Sequence, residues 1–240
     1  MYKSFIKRIL DLIIGIVGFP FFLISFVILA PIIKITDKGP VFYNAKRIGK
    51  NGKLFKMYKF RTMYVNAPDI RNADGSTYNG DDDPRVTKIG HFMRSTSLDE
   101  LPQVINIING TMSFIGPRPD LPDDMQIYTE EQKKKLLVRP GLTGYNQAYF
   151  RNSVEQNEKF EHDVYYANHI SFWFDIKIIF KTIKTVLLHE SVYNDASSPT
   201  EDEMKKIGGG VLKYLIQVFD RNFLSIFYEP QSFMEVGLDV

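Results

Sequence analysis

A run of uncharged, mostly apolar residues near the N-terminus constrains the fold of this chain more than any other feature. Residues 12–33 contain no Asp, Glu, Lys or Arg. As an α-helix that rises about 1.5 Å per residue, such a run matches a bilayer core of ~30 Å. A cleaved signal peptide is disfavoured, because the run is too long for its apolar region and no small-residue cleavage site follows. The sequence therefore predicts a helix embedded in a membrane.

Prolines and flanking charges predict how this helix meets the bilayer. Pro20 lies in the middle of the run and Pro31 near its end, and an interior proline removes a backbone hydrogen bond and bends a helix. Basic residues flank both sides of the run: Lys3, Lys7, Arg8, Lys34, Lys38, Lys46, Arg47 and Lys50. Because positive charge marks the cytoplasmic side, we expect the helix to enter the membrane, break at Pro20 and return. The alternative is an ordinary span whose C-terminal end lies outside.

Composition excludes several classes of partner and cofactor. A net charge of +2 over 240 residues gives no overall electrostatic preference for nucleic acid, and none is expected as a partner. The absence of cysteine excludes disulfides and thiolate zinc sites. The histidines show no spacing typical of metal ligands; they are His91, His162, His169 and His189. Histidine-based catalysis and zinc are therefore not expected.

The segment after the membrane run predicts a small β-structure. Residues 41–43 are predicted as a short strand and residues 47–60 as a hairpin that turns at Asn51-Gly52. This segment is rich in Lys and Arg. We interpret most of these residues as facing solvent or lipid headgroups, and expect Lys59 and Arg61 to be the better candidates for a site.

Three later segments predict helices. Residues 129–138 are charged and predict a surface helix, and residues 154–168 predict a helix packed through an apolar stripe of Phe160, Val164 and Tyr165. Residues 170–189 combine apolar and aromatic residues with lysines. This pattern favours a helix in the membrane interface with Trp173 at headgroup level; the alternative is a core helix.

Two adjacent carboxylates, Asp99 and Glu100, stand at the head of an apolar segment. Arg94 precedes them and Arg118 follows, and acids and guanidinium groups this close in sequence can meet around a phosphate or a metal-bound phosphate. The structural alternative is helix capping, by a Ser97/Glu100 capping box or by Asp99 as the N-cap. Capping accounts for at most one of the carboxylates, and both interpretations stay open from spacing alone.

Two proline- and glycine-containing loops are further candidates for phosphate contacts. In residues 116–119 (GPRP), prolines fix the backbone on both sides of Arg118. A guanidinium group positioned in advance loses less entropy on binding phosphate; the alternative is that Arg118 merely pairs with Asp120 or Asp123. Residues 139–144 (RPGLTG) form a second rigid loop whose backbone N–H groups can cradle a phosphate.

Four segments together resemble the bacterial sugar transferase family, the small monotopic phosphoglycosyl transferases. They are residues 59–63 (KFRTM), 97–103 (SLDELPQ), 112–119 (MSFIGPRP) and 139–144 (RPGLTG). The resemblance covers residues 1 to about 190, in order. It implies the same re-entrant helix, although members carry a Ser-Pro break where this chain has Phe19-Pro20 about one turn earlier.

The resemblance also implies roles for individual residues. Asp99 would be the nucleophile that forms an acyl-phosphate, and an aspartate is already ionised at pH 7 and needs no general base. Glu100 would bind the metal, expected to be Mg²⁺, and Arg94 and Arg118 would stabilise charge on the transferred phosphoryl group. Weaker candidates for substrate-phosphate binding complete the set: Lys59, Arg61, Arg139 and Arg151.

The expected reaction moves a sugar-1-phosphate from a nucleotide sugar, with UDP expected from the resemblance, to a polyprenyl phosphate. The implied place is the inner membrane of a bacterium with the catalytic domain facing the cytoplasm. The partners expected are membrane lipid and downstream glycosyltransferases, with a homodimer left open. Two alternatives are a non-catalytic membrane-bound module that binds nucleotide sugar or anionic lipid, and a lipid-phosphate phosphatase that uses the same aspartate.

The predicted fold class is α+β. Residues 1–38 form the re-entrant membrane helix. Residues 39–190 form a mainly helical cytosolic catalytic domain with a small β-hairpin and interfacial amphipathic helices. Residues 191–240 form a linker and an amphipathic C-terminal tail to which no role is assigned.

Overall fold

The α+β class is confirmed by the computed structural model, which describes residues 1–70, 78, 80, 83–150 and 154–187. The helices in these ranges are α1 (Lys7–Asp37), α2 (Lys88–Ser95), α3 (Gln103–Asn109), α4 (Tyr145–Tyr149), α5 (Gln156–Asn168) and α6 (Phe172–Leu187). The strands are β1 (Phe42–Ile48), β2 (Leu54–Phe60), β3 (Ser113–Ile115) and β4 (Gly141–Thr143). The predicted tail at 191–240 lies outside the described residues, and the boundaries at 38 and 190 stay predictions.

Helix α1 is long enough to be the predicted membrane element. Its 31 residues would extend about 46 Å. In the part of the chain that the structure describes, the stretch Tyr2–Asp37 is the one helix whose length and apolar composition would allow it to cross a membrane. The helix continues through Pro20 and Pro31. Pro20 therefore does not separate two helices, and the re-entrant path stays a prediction.

One face of α1 packs against the rest of the protein along its whole length. Its buried residues are spaced four or seven apart, as on one side of a helix: Asp11, Gly15, Phe22, Leu29 and Ile33. A Cβ atom at Gly15 would lie 2.9 Å from Ile108 of α3, so glycine permits the close approach of the two helices. The opposite face exposes apolar side chains, among them Ile13, Val17, Ile24 and Val27.

The predicted hairpin is confirmed, with β1 and β2 antiparallel over seven residue pairs. Asn51 and Gly52 adopt positive φ values of 57° and 73° at the turn. The predicted strand at 41–43 is not separate; it is the beginning of β1. Phe42 and Phe60 stack with their ring centroids 5.5 Å apart and lie against Phe22 of α1, which fixes one end of the hairpin to the apolar helix.

Strands β3 and β4 pair in parallel and hold the two predicted rigid loops side by side. Gly116 N–H donates to Thr143 O at 2.9 Å, and Gly141 N–H donates to Pro117 O at 2.8 Å. A Cβ atom at Gly141 would lie 2.1 Å from Gly116 N. The loops 116–119 and 139–144 are therefore held side by side by backbone hydrogen bonds.

Helices α5 and α6 lie close to their predicted positions. The prediction of the apolar stripe of α5 is wrong at one residue: Tyr165 is 42% exposed, whereas its neighbour Tyr166 is fully buried. Helix α6 buries Ile178 and exposes 58% of Trp173, so it has both a core face and an apolar surface face. Its place at a membrane interface stays a prediction.

Candidate active site

Asp99 lies in a short 3-10 turn, Leu98–Glu100, and not within a helix. Ser97 precedes it in the left-handed region with φ 57°, and α3 begins only at Gln103, after Pro102. Neither Ser97 nor Asp99 caps a helix through its side chain. Both predicted capping schemes are therefore wrong, because Pro102, which lacks an N–H, occupies the N-cap position itself.

Lys59 contacts both carboxylates from the end of β2. Its Nζ lies 2.7 Å from Asp99 Oδ2 and 3.3 Å from Glu100 Oε1. Asp99 is only 2% exposed, and its Oδ2 has no well-aligned hydrogen bond within the described residues. The pair is held by charge and leaves lone pairs of Asp99 available.

Burial and charge oppose each other at this pair. Burial raises the pKa of Asp99, Lys59 lowers it, Glu100 raises it, and Arg94 lowers it. Burial lowers the pKa of Lys59, but Asp99 and Glu100 together raise it above its ordinary value. The site thus combines a desolvated carboxylate with an ammonium group that keeps its proton.

Arg94 is placed by the contact between α2 and Thr62, two residues after the end of β2. Its Nε donates to Thr62 Oγ1 at 3.1 Å. Thr87 caps α2 by accepting from Gly90 N–H at 3.0 Å, and a Cβ atom at Gly90 would lie 2.0 Å from Thr62 O. This tight packing brings Arg94 within electrostatic reach of Asp99.

A buried ionic cluster supports the loop of Arg118. The Arg118 side chain is exposed, while its backbone N–H donates to Asp163 Oδ1 at 3.4 Å. Lys135 Nζ lies 2.5 Å from Oδ2 of both Asp120 and Asp163, and Tyr128 OH donates to Asp120 at 2.6 Å. Asp120 thus pairs with Lys135 and not with Arg118.

Sequence reasoning missed this cluster. Residues 129–138 were expected to lie mostly at the surface, but Lys135 is 2% exposed. The segment Gln132–Leu137 is a 3-10 helix, whose period of three places Gln132 and Lys135 on the same buried side. Burial raises the pKa of Asp163 to about 6 although Lys135 lowers it.

Three predicted phosphate ligands have other contacts or cannot be placed. Arg61 is buried, donates from Nε to Pro40 O at 2.6 Å and pairs with Asp37 at the end of α1. Arg139 donates to Gly110 O at 2.8 Å, at the C-terminal end of α3. None of the described contacts joins either arginine to Asp99. Arg151 lies outside the described residues, and all three roles stay predictions.

The carboxylate pair fits the ligand requirements of Mg²⁺. In the described ranges no group of three or more His, Cys, Asp or Glu side chains is arranged to hold a metal. Magnesium uses one or two carboxylates and takes its other ligands from substrate phosphates and water. Glu100 provides such a hard oxygen donor beside Asp99, whose Oδ2 accepts no well-aligned hydrogen bond from the residues that the structure describes.

Comparison with known proteins identifies the family to which this chain is similar. A family model described as bacterial sugar transferase matches residues 2–189. The galactosyl transferase CpsE of Streptococcus agalactiae is 42% identical over 190 residues, which are 76% of this chain and 42% of CpsE. The undecaprenyl-phosphate galactose phosphotransferase of Salmonella typhimurium is 35% identical over 208 residues, 80% of this chain and 42% of that protein.

A shorter relative matches over nearly its whole length. The uncharacterized sugar transferase EpsL of Bacillus subtilis is 40% identical over 189 residues, 78% of this chain and 90% of EpsL. The chain spans less than half the length of CpsE and of the Salmonella protein. It belongs to the bacterial sugar transferase family, and the resemblance in its four motifs is confirmed.

Proposed function

We propose that this protein transfers a sugar-1-phosphate from a nucleotide sugar, with UDP as the nucleotide, to undecaprenyl phosphate. The products are a polyprenyl-diphosphate sugar and a nucleoside monophosphate. The observation that carries the proposal is the buried Asp99 carboxylate, 2.7 Å from Lys59 and within electrostatic reach of Arg94. The name of the Salmonella relative, an undecaprenyl-phosphate galactose phosphotransferase, supports this reaction, which would be the first membrane step of a surface glycan pathway.

In the first half-reaction, a carboxylate oxygen of Asp99 attacks the sugar-side phosphorus of the donor. An oxygen–phosphorus bond forms, the bond to the bridging oxygen breaks, and nucleoside monophosphate leaves with that oxygen and its electron pair. Asp99 attacks as an anion, so no proton has to be removed. Lys59, Arg94 and Arg118 supply positive charge for the phosphoryl oxygens.

In the second half-reaction, a phosphate oxygen of the polyprenyl phosphate attacks the same phosphorus. The bond to Asp99 breaks, the free carboxylate is restored, and the sugar phosphate leaves on the lipid. Glu100 would hold Mg²⁺, whose positive charge would neutralise the substrate phosphates when it is bound.

The contacts of α1 support a membrane helix that does not cross the bilayer. Near its N-terminus, Arg8 donates to Ile107 O at 2.6 Å, and Lys7 pairs with Asp175 of α6 at 2.6 Å. At its C-terminus, Asp37 pairs with Arg61 and accepts from Val65 N–H. Both ends are thus fixed to one folded unit, which favours a helix that does not cross the membrane, with the site at the cytoplasmic face of the inner membrane.

The test is incubation of purified protein with UDP-sugar and undecaprenyl phosphate. The proposal predicts lipid-linked sugar phosphate and nucleoside monophosphate. Release of free phosphate would indicate a lipid-phosphate phosphatase, and absence of both products would indicate a binding module. Mass spectrometry of protein treated with donor alone should detect a sugar phosphate attached to Asp99 and identify the sugar.

Asp99→Asn is expected to reduce turnover by at least ~10³-fold, as loss of a nucleophile does in other covalent enzymes. The amide is similar in shape, so the fold should be retained, as checked by circular dichroism and thermal unfolding. Wild-type activity in this variant would falsify the assignment of the nucleophile.

A further inference from the structure

Arg47 lies on the hairpin face that carries Lys59. In the antiparallel register Arg47 pairs with Phe55, and Tyr43 pairs with Lys59. Residues two apart in a strand share a face, so Arg47, Tyr43, Phe55 and Lys59 lie on one side, the side on which Met57 is buried. Arg47 itself is half-buried and its Nε is buried, so it does not extend into solvent as expected for the basic residues of the hairpin.

The guanidinium group of Arg47 has no partner in the described part of the chain. Its Nε is buried and makes no hydrogen bond. The nearby carboxylates are already used: Asp120 accepts from Lys135 and Tyr128, and Asp124 accepts from Leu121 N–H at 2.9 Å. A buried N–H donor without an acceptor is unfavourable, and an anionic ligand would supply the acceptor.

Arg118 provides a second cationic group at the same place. It is exposed, and among the described residues its side chain forms no hydrogen bond or ion pair. The backbone joins the two arginines, since Ile48 N–H donates to Asp120 O at 3.0 Å. Burial lowers the pKa of Arg47 and the charge of Arg118 lowers it further, against smaller opposing effects of Tyr43, Asp120 and Asp124. Arg118 also lowers the pKa of Lys59, as burial does to a larger extent. Asp99 and Glu100 together have the larger, opposite effect. Arg118 is thus within electrostatic reach of both Lys59 and Arg47.

The position of Arg47 indicates which phosphate it would meet. The opposite end of the hairpin, at Phe42 and Phe60, is the end that packs on the apolar helix α1. Arg47 lies five residues further along β1, next to the turn at 50–52, so its backbone is roughly 16 Å from Phe42 and roughly 13 Å from Tyr43, the strand partner of Lys59. The long side chains of Arg47 and Lys59 must therefore extend toward each other to contact one diphosphate. This end faces away from the membrane helix, which favours a phosphate of the soluble donor over that of the lipid.

We propose that Arg47 forms a second phosphate subsite, which holds the nucleoside-side phosphate of the donor while its sugar-side phosphate lies at Asp99 and Lys59, with Arg118 between the two phosphates and near both. The inference rests on the proposed transferase function. It adds a residue outside the predicted phosphate-binding set and divides the donor diphosphate between two groups of cations. The phosphate held by Arg47 leaves with the nucleoside, so Arg47 acts in binding the donor and its product and not in the attack of the lipid.

The test compares Arg47→Gln with Lys46→Gln. Lys46 is exposed on the opposite face of the same strand, and its substitution removes the same charge. With donor alone, the donor concentration giving half-maximal nucleoside monophosphate release should rise about tenfold in Arg47→Gln, as expected for loss of one charge-assisted hydrogen bond. Product inhibition by UMP should weaken by a similar factor, and Lys46→Gln should stay within about twofold of wild type.

Other outcomes overturn the inference in distinguishable ways. A raised KM for undecaprenyl phosphate with unchanged donor binding would assign the subsite to the lipid phosphate. Equal behaviour of the two variants would show that Arg47 binds no phosphate. If wild type transfers no sugar phosphate, the proposed function fails, and calorimetric binding of UMP to wild type and variants still tests the subsite. Should Arg47→Gln not fold, Arg47→Lys is expected to weaken UMP binding, because a single ammonium group lacks the bidentate geometry of the guanidinium group.

Discussion

At the residue scale, the charge balance around Asp99 follows from one lysine shared by two carboxylates. Lys59 Nζ lies 2.7 Å from Asp99 Oδ2 and also donates to Glu100. A buried carboxylate without a cation would be protonated more easily and would be a weaker nucleophile. Lys59 opposes the rise in the pKa of Asp99 that burial causes, and so would favour the ionised carboxylate that the proposed attack requires.

This role predicts a change in pH dependence for Lys59→Gln. Burial raises the pKa of Asp99 and Lys59 lowers it, so loss of Lys59 should raise that pKa further. Because only the anion attacks, the acid limb of kcat/KM for the donor should move to higher pH, and activity below neutral pH should fall most. Lys56→Gln, an exposed position on the opposite face of β2, should leave the limb unchanged. An unmoved or lowered limb in Lys59→Gln would contradict the role.

The ionic cluster beneath Arg118 predicts a large effect on stability. Lys135→Met would leave the carboxylates of Asp120 and Asp163 buried without their cation, and breaking a buried pair in this way costs about 3–5 kcal/mol. Lys134→Met is the control, because Lys134 pairs only with exposed Glu131 and its loss should change stability by less than ~0.5 kcal/mol. Thermal unfolding in detergent measures both; equal midpoints would show that the cluster does not stabilise the fold.

At the scale of elements, α1 is joined to β3 by a buried polar contact within an apolar interface. Asp11 Oδ1 accepts from Ser113 Oγ at 2.9 Å and from Phe114 N–H at 2.8 Å. The contact fixes the register of the helix against the strand that leads into the Arg118 loop. Helix α1 is thereby connected to the loop that carries Arg118, a candidate phosphate-binding residue.

Asp11→Leu should destabilise the protein more than Asp11→Asn. Leucine would leave the Ser113 hydroxyl and the Phe114 N–H without an acceptor, at about 1–3 kcal/mol for each group. Asparagine keeps one acceptor oxygen and should lose less. The difference in unfolding midpoint between the two variants measures the hydrogen bonds, and equal midpoints would mean that only the charge matters.

The elements that the sequence predicts are those specified by local pattern. The apolar run gives α1, Asn51-Gly52 gives the hairpin turn, and Gly110 ends α3 at a φ of 81° as its Asn-Gly pair predicts. The 3-10 turn at Asp99 was missed, because a left-handed Ser97 has no sequence signal comparable to glycine. The burial of Lys135 was missed for another reason: its partners, Asp120 and Asp163, are 15 and 28 residues away in sequence.

The candidate site was predictable in part. Asp99, Glu100, Lys59 and Arg94 are brought together as their motifs indicate. The face on which Arg47 lies depends on the strand register. Once the hairpin is paired, Arg47 lies on the same face as Phe55 and Met57. The contacts of Arg61 depend instead on where α1 ends in space, and no local pattern contains that information.

At the scale of the whole molecule, the arrangement of α1 predicts that both of its ends lie on one side of the membrane. The chain contains no cysteine, so Ser4→Cys and Lys38→Cys can be labelled without background; both positions are exposed. A membrane-impermeant maleimide should label both in inside-out vesicles and neither in sealed right-side-out vesicles. Labelling of the two positions from opposite sides would show an ordinary span.

The contacts that fix both ends of α1 affect how the protein adapts to bilayer thickness. A free membrane helix adapts to a thicker or thinner bilayer by tilting. Here Arg8 and Lys7 at one end and Asp37 at the other form hydrogen bonds or ion pairs with the same folded unit. The tilt of the helix relative to the rest of the protein is therefore fixed by these contacts. A change in acyl-chain length would then be accommodated by the surrounding lipid or by the height of the entire molecule, while the position of Asp99 relative to the helix stays fixed.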